Sequence, residues 1–105
     1  MGWLFLIIAG LLETAWAGLL KSMAGEWSLG RGAGFAAALV GSMWCLGLAL
    51  KHLPISIAYP IWTGIGSVGA VVLGATLFGE TASWRVLAGV SLLIAGMALL
   101  ASDSV

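Results

Sequence analysis

A chain of 105 residues that is 62% hydrophobic and 8% charged, with a mean hydropathy of +1.16, lies outside the composition of water-soluble domains and belongs in a lipid bilayer. Its formal net charge is zero and its four basic residues are scattered, which excludes a nucleic-acid footprint or a polybasic membrane-surface patch. The lone cysteine, Cys45, allows no intrachain disulfide.

A hydrocarbon core of about 30 Å takes roughly 20 apolar residues per helix, so charged and turn-forming residues mark the ends of the spans. They predict four. The first covers about 2–20 and stops at Lys21. Ala15-Trp16-Ala17 has the small-x-small form of a signal-peptidase site, but no Lys or Arg precedes position 21 and a carboxylate precedes the supposed cut, so the segment is expected to remain. "KSMAGEWSLGRGAG" then reads as a glycine-rich loop. The second span covers about 34–50 and is closed by "KHLP". The third covers about 54–78, with Pro54 in a first turn where its missing N–H is no loss. After "GETASWR", with Thr81 or Ser83 as a helix cap, the fourth covers about 84–101. The expected fold is an all-α membrane protein, a single four-helix transmembrane domain over 1–105.

Glu13 sits near the middle of the first span, where an acidic side chain costs roughly 2.5–3.5 kcal/mol. No other acidic residue falls inside a span, and no basic residue is deep enough to be its obvious partner. Two readings of it stand side by side: a protonated acid bonded to a neighbouring helix as structural glue, or a site for a proton and an organic cation. Helical spacing puts Gly10, Glu13, Trp16 and Ala17 on one face. The small residues leave room beside the carboxylate, and the Trp16 indole offers both an N–H donor and a cation-binding ring.

In the second span, Ser42 is the mid-membrane polar side chain, able to bond its own backbone or a substrate. In the third, Tyr59, Trp62, Thr63 and Gly66 follow the i, i+3, i+4, i+7 pattern of one face, either as core or as an aromatic cation box. Glycines 64, 66, 69 and 74 permit close helix approach or bending, and Pro60 removes the hydrogen bond to the Ser56 carbonyl and favours a kink. In the fourth, Gly89 and Gly96 lie on one face and allow another helix to approach. His52, at a span end, is expected at the membrane interface. There is no metal-ligand cluster, phosphate loop or Ser/His/Asp set, so neither an enzyme nor a cofactor is expected.

A four-helix bundle of this size encloses little space for a substrate pathway, which points to an oligomer. Lys21, Arg31 and Arg85 on one side against Lys51 and the terminal amine on the other orient the chain only weakly. A chain that inserts both ways can pair with an inverted copy of itself.

Three segments carry a resemblance that covers essentially the whole chain: "ETAWAGLLK" around Glu13, "LPISIAYPIWTGIGSVGAV" in the third span and "GVSLLIAGM" in the fourth. Together they resemble the small multidrug resistance family of four-helix proton-coupled exporters, in its guanidinium-exporter branch. The resemblance implies an antiparallel, dual-topology homodimer in the bacterial inner membrane. Glu13 from both copies would face a shared cavity and exchange protons for a guanidinium-type cation. It further implies that Trp16 and Ser42 orient the Glu13 carboxylates, that Trp62 walls the site, that Tyr59 controls opening and that the fourth helix pairs the protomers. Pro60 departs from the family's usual Ala; with Gly64 and Gly66 it is expected to shape a portal beside Tyr59, which leaves substituted guanidines as candidate substrates. The alternatives are an exporter of quaternary-ammonium or polyaromatic cations, and a noncatalytic membrane accessory subunit.

Overall fold

The computed structural model describes residues 1–103; positions 104–105 of the expected domain lie outside them. Four helices are present: α1 (Gly2–Ser22), α2 (Leu29–Ala49), α3 (Ile55–Thr76) and α4 (Trp84–Asp103). Each is long and apolar enough to cross a membrane.

The second helix starts at Leu29, well before the expected residue 34. Ser28 is its cap: the backbone there is extended, and Ser28 Oγ accepts the Arg31 N–H at 3.1 Å. The Arg31 guanidinium also donates to the Ser22 carbonyl at 3.1 Å, tying the new helix to the last turn of α1. The third helix ends at Thr76, just short of residue 78, because Gly79 turns the chain with φ of 66° and the Glu80 N–H donates back to the Gly74 carbonyl at 2.8 Å. Ser83, not Thr81, caps α4; its Oγ accepts the Val86 N–H at 3.3 Å.

Packing contacts order the helices α2, α1, α3, α4 across a plate measuring 44 × 34 × 15 Å. A width of 34 Å is what four helices side by side require at interaxial distances of about 8–10 Å. Among the described residues α1 and α2 make no contact with α4, so the protomer is an open arrangement and not a closed four-helix bundle.

Glycines let the layer close up. A methyl group at Gly10 would lie 2.7 Å from Ile65 Cβ, and one at Gly18 would lie 2.8 Å from Leu73 Cδ1, so these glycines let Ile65 and Leu73 of α3 pack directly on the α1 backbone. The buried hydrophobic residues are Leu6, Ala9, Leu46, Ala49, Ile57, Ala58, Ile61 and Trp62. They come from the first half of α1, the end of α2 and the first half of α3, so the plate is tight at the end carrying the α2–α3 turn. His52 lies at that end against the first turn of α1, where a methyl group at Gly2 would meet its Cβ at 2.7 Å. Toward the opposite end, near the α1–α2 connection, lies a groove lined by Ala17, Leu20, Lys21, Trp27 and Phe35. The last helix touches only α3 and has no buried residue.

Candidate functional site

Glu13 stands where the tight half of the plate gives way to the open half. One turn before it, the Ala9 carbonyl receives two side-chain donors: Ser42 Oγ from α2 at 2.7 Å and Trp62 Nε1 from α3 at 3.2 Å. The indole N–H is shared, since it also reaches Ser42 Oγ at 3.0 Å. Ser42 and Ala9 are fully buried and Trp62 nearly so. A hydroxyl at mid-membrane needs an acceptor, and this one joins three helices at a single oxygen. In an α-helix the carbonyl of residue 9 faces the amide of residue 13, so the node fixes the backbone from which the Glu13 side chain departs.

The carboxyl group itself lies against α3. A methyl group at Gly66 would overlap Glu13 Oε1 and the carboxyl carbon. Oε1 is buried with no hydrogen-bond partner in the protomer, and the same holds for the neighbouring Trp16 Nε1. The Trp16 ring packs edge-on against Phe35 of α2, with centroids 5.9 Å apart and planes at 84°. Among the described residues the one ion pair is Lys21–Glu80 at 3.8 Å, between side chains that are both more than half exposed, so no basic group of the protomer neutralises Glu13.

The residues singled out in the sequence fall into two sets. Gly10, Glu13, Ser42, Trp62 and Gly66 converge where α1, α2 and α3 meet, with Trp16 one turn further along α1 against Phe35. Within the protomer Ser42 does not donate to Glu13: its hydroxyl is given to the Ala9 carbonyl. Tyr59 is half exposed on the edge of this cluster, tilted over Trp62 with centroids 5.4 Å apart.

The second set faces α4. Pro60, Thr63 and Gly64 line a groove between α3 and α4 together with Gly89, Gly96 and Met97. Thr63 is therefore rotated away from the Trp62–Gly66 face that helical spacing assigned it to, and its Oγ1 caps the Tyr59 and Pro60 carbonyls at 3.1 and 3.0 Å. A methyl group at Gly64 would press on Met97 Sδ at 2.6 Å, whereas methyl groups at Gly89 and Gly96 would meet nothing within 4 Å. The Ala9 carbonyl is the participant that sequence reasoning did not find.

The sequence profile described as "Small Multidrug Resistance protein" matches residues 1–93. The chain belongs to the small multidrug resistance family. Among its relatives in that family is a protein of Escherichia coli strain K12 named "Guanidinium exporter", 43% identical over 97 residues and covering 92% of both chains. A relative of the same name from Salmonella typhimurium is 46% identical, again with 92% of each chain covered, and one from Yersinia pestis is 42% identical, covering 92% of this chain and 93% of its own. The matched region includes all of α1, α2 and α3. The small multidrug resistance assignment and the four spanning helices together make this an integral membrane protein.

Proposed function

We propose that this protein is a proton-coupled antiporter that exports guanidinium, and accepts substituted guanidines, by alternating access in an antiparallel homodimer of the bacterial inner membrane. The observation that carries the reading is the pair of buried, unbonded polar atoms, Glu13 Oε1 and Trp16 Nε1, one turn apart on α1 in a protomer whose four helices do not close on themselves. A carboxyl and an indole N–H in lipid require partners, and a second copy laid across the plate would enclose them in a shared cavity. Inverting that copy sets the tight end of one protomer beside the open end of the other.

Guanidinium is flat and carries N–H donors around its edge, so two carboxylates with fixed geometry bind it better than they bind a bulky quaternary ammonium. Protons and the cation compete for the same carboxylate oxygens. Protons entering from one side therefore release the cation there, and the proton gradient drives export. The relatives named guanidinium exporters support this substrate class.

The test is reconstitution of the purified protein alone in liposomes. Proton movement should follow addition of guanidinium and of substituted guanidines. A response to a quaternary ammonium alone would transfer the protein to multidrug export, and no response to any cation would leave an accessory subunit.

A further inference from the structure

Resting on the antiporter reading of Glu13, we infer that Gly66 is a positioning residue: the notch left by its missing side chain seats the Glu13 carboxyl in its proton-loaded state, and the carboxyl must leave that notch to pair with a cation.

The geometry gives the carboxyl two environments. On one side it rests on the α3 backbone at Gly66, where even one methyl group would overlap it and where Oε1 is sealed from solvent without a hydrogen bond. On the other side is the face of the plate, with Trp16 Nε1 one turn away and unpaired. An ionised oxygen held unpaired against the helix would bear the full penalty of removal from water, whereas a neutral carboxyl bears far less. The seated position therefore belongs to the protonated group. When the O–H bond breaks and the proton passes to water, the charged carboxylate swings out of the notch to meet the cation and the Trp16 N–H.

No other charge competes for this role. The α3 helix carries Tyr59 as its one ionisable group, turned onto Trp62, while α2 carries Arg31, bonded to the Ser22 carbonyl in its first turn, and Cys45. Lys21, further along α1, pairs with Glu80. The neighbouring close contacts are apolar or already satisfied: Gly10 faces Ile65, and Thr14, packed over Gly69, donates its hydroxyl to the Gly10 carbonyl at 3.3 Å.

Filling the notch with Gly66→Ala should penalise the protonated state selectively. The chain has three glutamates, so protein labelled with ¹³C at the Glu side-chain carboxyl gives three signals, and Glu13→Gln assigns the one that matters. At the pH where half of wild-type Glu13 holds its proton, the Gly66→Ala protein should be about nine-tenths ionised, a tenfold loss of proton affinity. An unchanged titration in a folded Gly66→Ala protein would overturn the inference.

If Gly66→Ala does not assemble, removing the acid settles the matter. Gly66→Ala combined with Glu13→Ala, which takes away the carboxyl and the Cγ that a methyl group at Gly66 would meet at 2.8 Å, should recover a dimer on size-exclusion chromatography in detergent. Failure of that double variant to assemble would show that the methyl group collides with helix packing and not with the carboxyl, and would equally overturn the inference. The carboxyl signal is read without any cation. Absence of guanidinium transport with the tenfold shift intact would therefore reject the substrate and leave the notch standing.

Discussion

Removing the Ser42 hydroxyl tests whether the node on the Ala9 carbonyl holds the three inner helices together. Ser42→Ala deletes a 2.7 Å donation to Ala9 and the acceptor of the 3.0 Å bond from Trp62. The Trp62 N–H is not stranded, because it still reaches the Ala9 carbonyl at 3.2 Å. The loss should therefore be about 1 kcal/mol, within the ~0.6–1.7 kcal/mol measured for interhelical hydrogen bonds in membranes, and below the roughly 1–3 kcal/mol penalty of an orphaned buried donor. Trp62→Phe strips the N–H and leaves Ser42 donating to Ala9, so its hydrogen-bond loss is of similar size. Since both changes break the shared Ser42–Trp62 bond, the double variant should fall short of the sum of the singles by about 0.5–1 kcal/mol. Reversible unfolding in mixed micelles gives the four free energies. Strict additivity would refute an energetic Ser42–Trp62 bond. A loss above about 3 kcal/mol for Ser42→Ala would refute the retained Trp62–Ala9 bond.

Glu13→Gln keeps shape and hydrogen bonding while removing the exchangeable charge; it should fold and dimerise but not exchange protons for guanidinium. Wild-type guanidinium binding should weaken as pH falls, because protons occupy the oxygens the cation needs; calorimetry across a pH series checks the sign, and pumping by the Gln variant or binding indifferent to pH would contradict it. Gly96→Ile meets open space within the protomer, so it should leave helix content unchanged while shifting the detergent-solubilised protein from dimer to monomer; an unchanged dimer on size-exclusion chromatography would remove this face of α4 from the interface. Pro60→Ala restores a backbone donor on the side of α3 that faces α4, and rates for guanidinium and its bulkier derivatives should change by one common factor; a size-selective change in liposome flux would put Pro60 beside the substrate path.

Four spans were legible in the sequence because lipid enforces long apolar runs between charged breaks, and the chain places almost all its charge at those breaks. The start of α2 was not. Glycines at 30, 32 and 34 have the composition of a loop, and the decisive signal was a single serine, Ser28, whose hydroxyl caps the helix ahead of them. The site was legible as a set of side chains around Glu13, since a mid-membrane carboxyl is costly enough to draw attention to its helix face. Its wiring was hidden, because the acceptor that Ser42 and Trp62 share is a backbone carbonyl, which every residue possesses and no residue type announces. Helical periodicity likewise joined Thr63 to Trp62 and Gly66, but α3 is packed on both flanks, so one broad stripe served two neighbours.

The shelter of Glu13 is completed late in synthesis. Trp62 lies 53 residues after Ala9, and Gly66 follows it by a turn. At about 5–20 residues per second, α1 waits several seconds before any α3 backbone exists to lie beneath its carboxyl. During that interval the helix must enter the bilayer on its own merits. The nine Leu, Ile and Phe residues of α1, at roughly 0.3–0.6 kcal/mol each on the insertion scale, offset an acidic side chain that opposes insertion by roughly 2.5–3.5 kcal/mol. Much of the hydrophobicity of α1 is thus a requirement of its passage through the translocon. Trimming its exposed leucines, such as Leu4 and Leu11, would lower the yield of inserted protein while leaving the finished transporter's contacts in place.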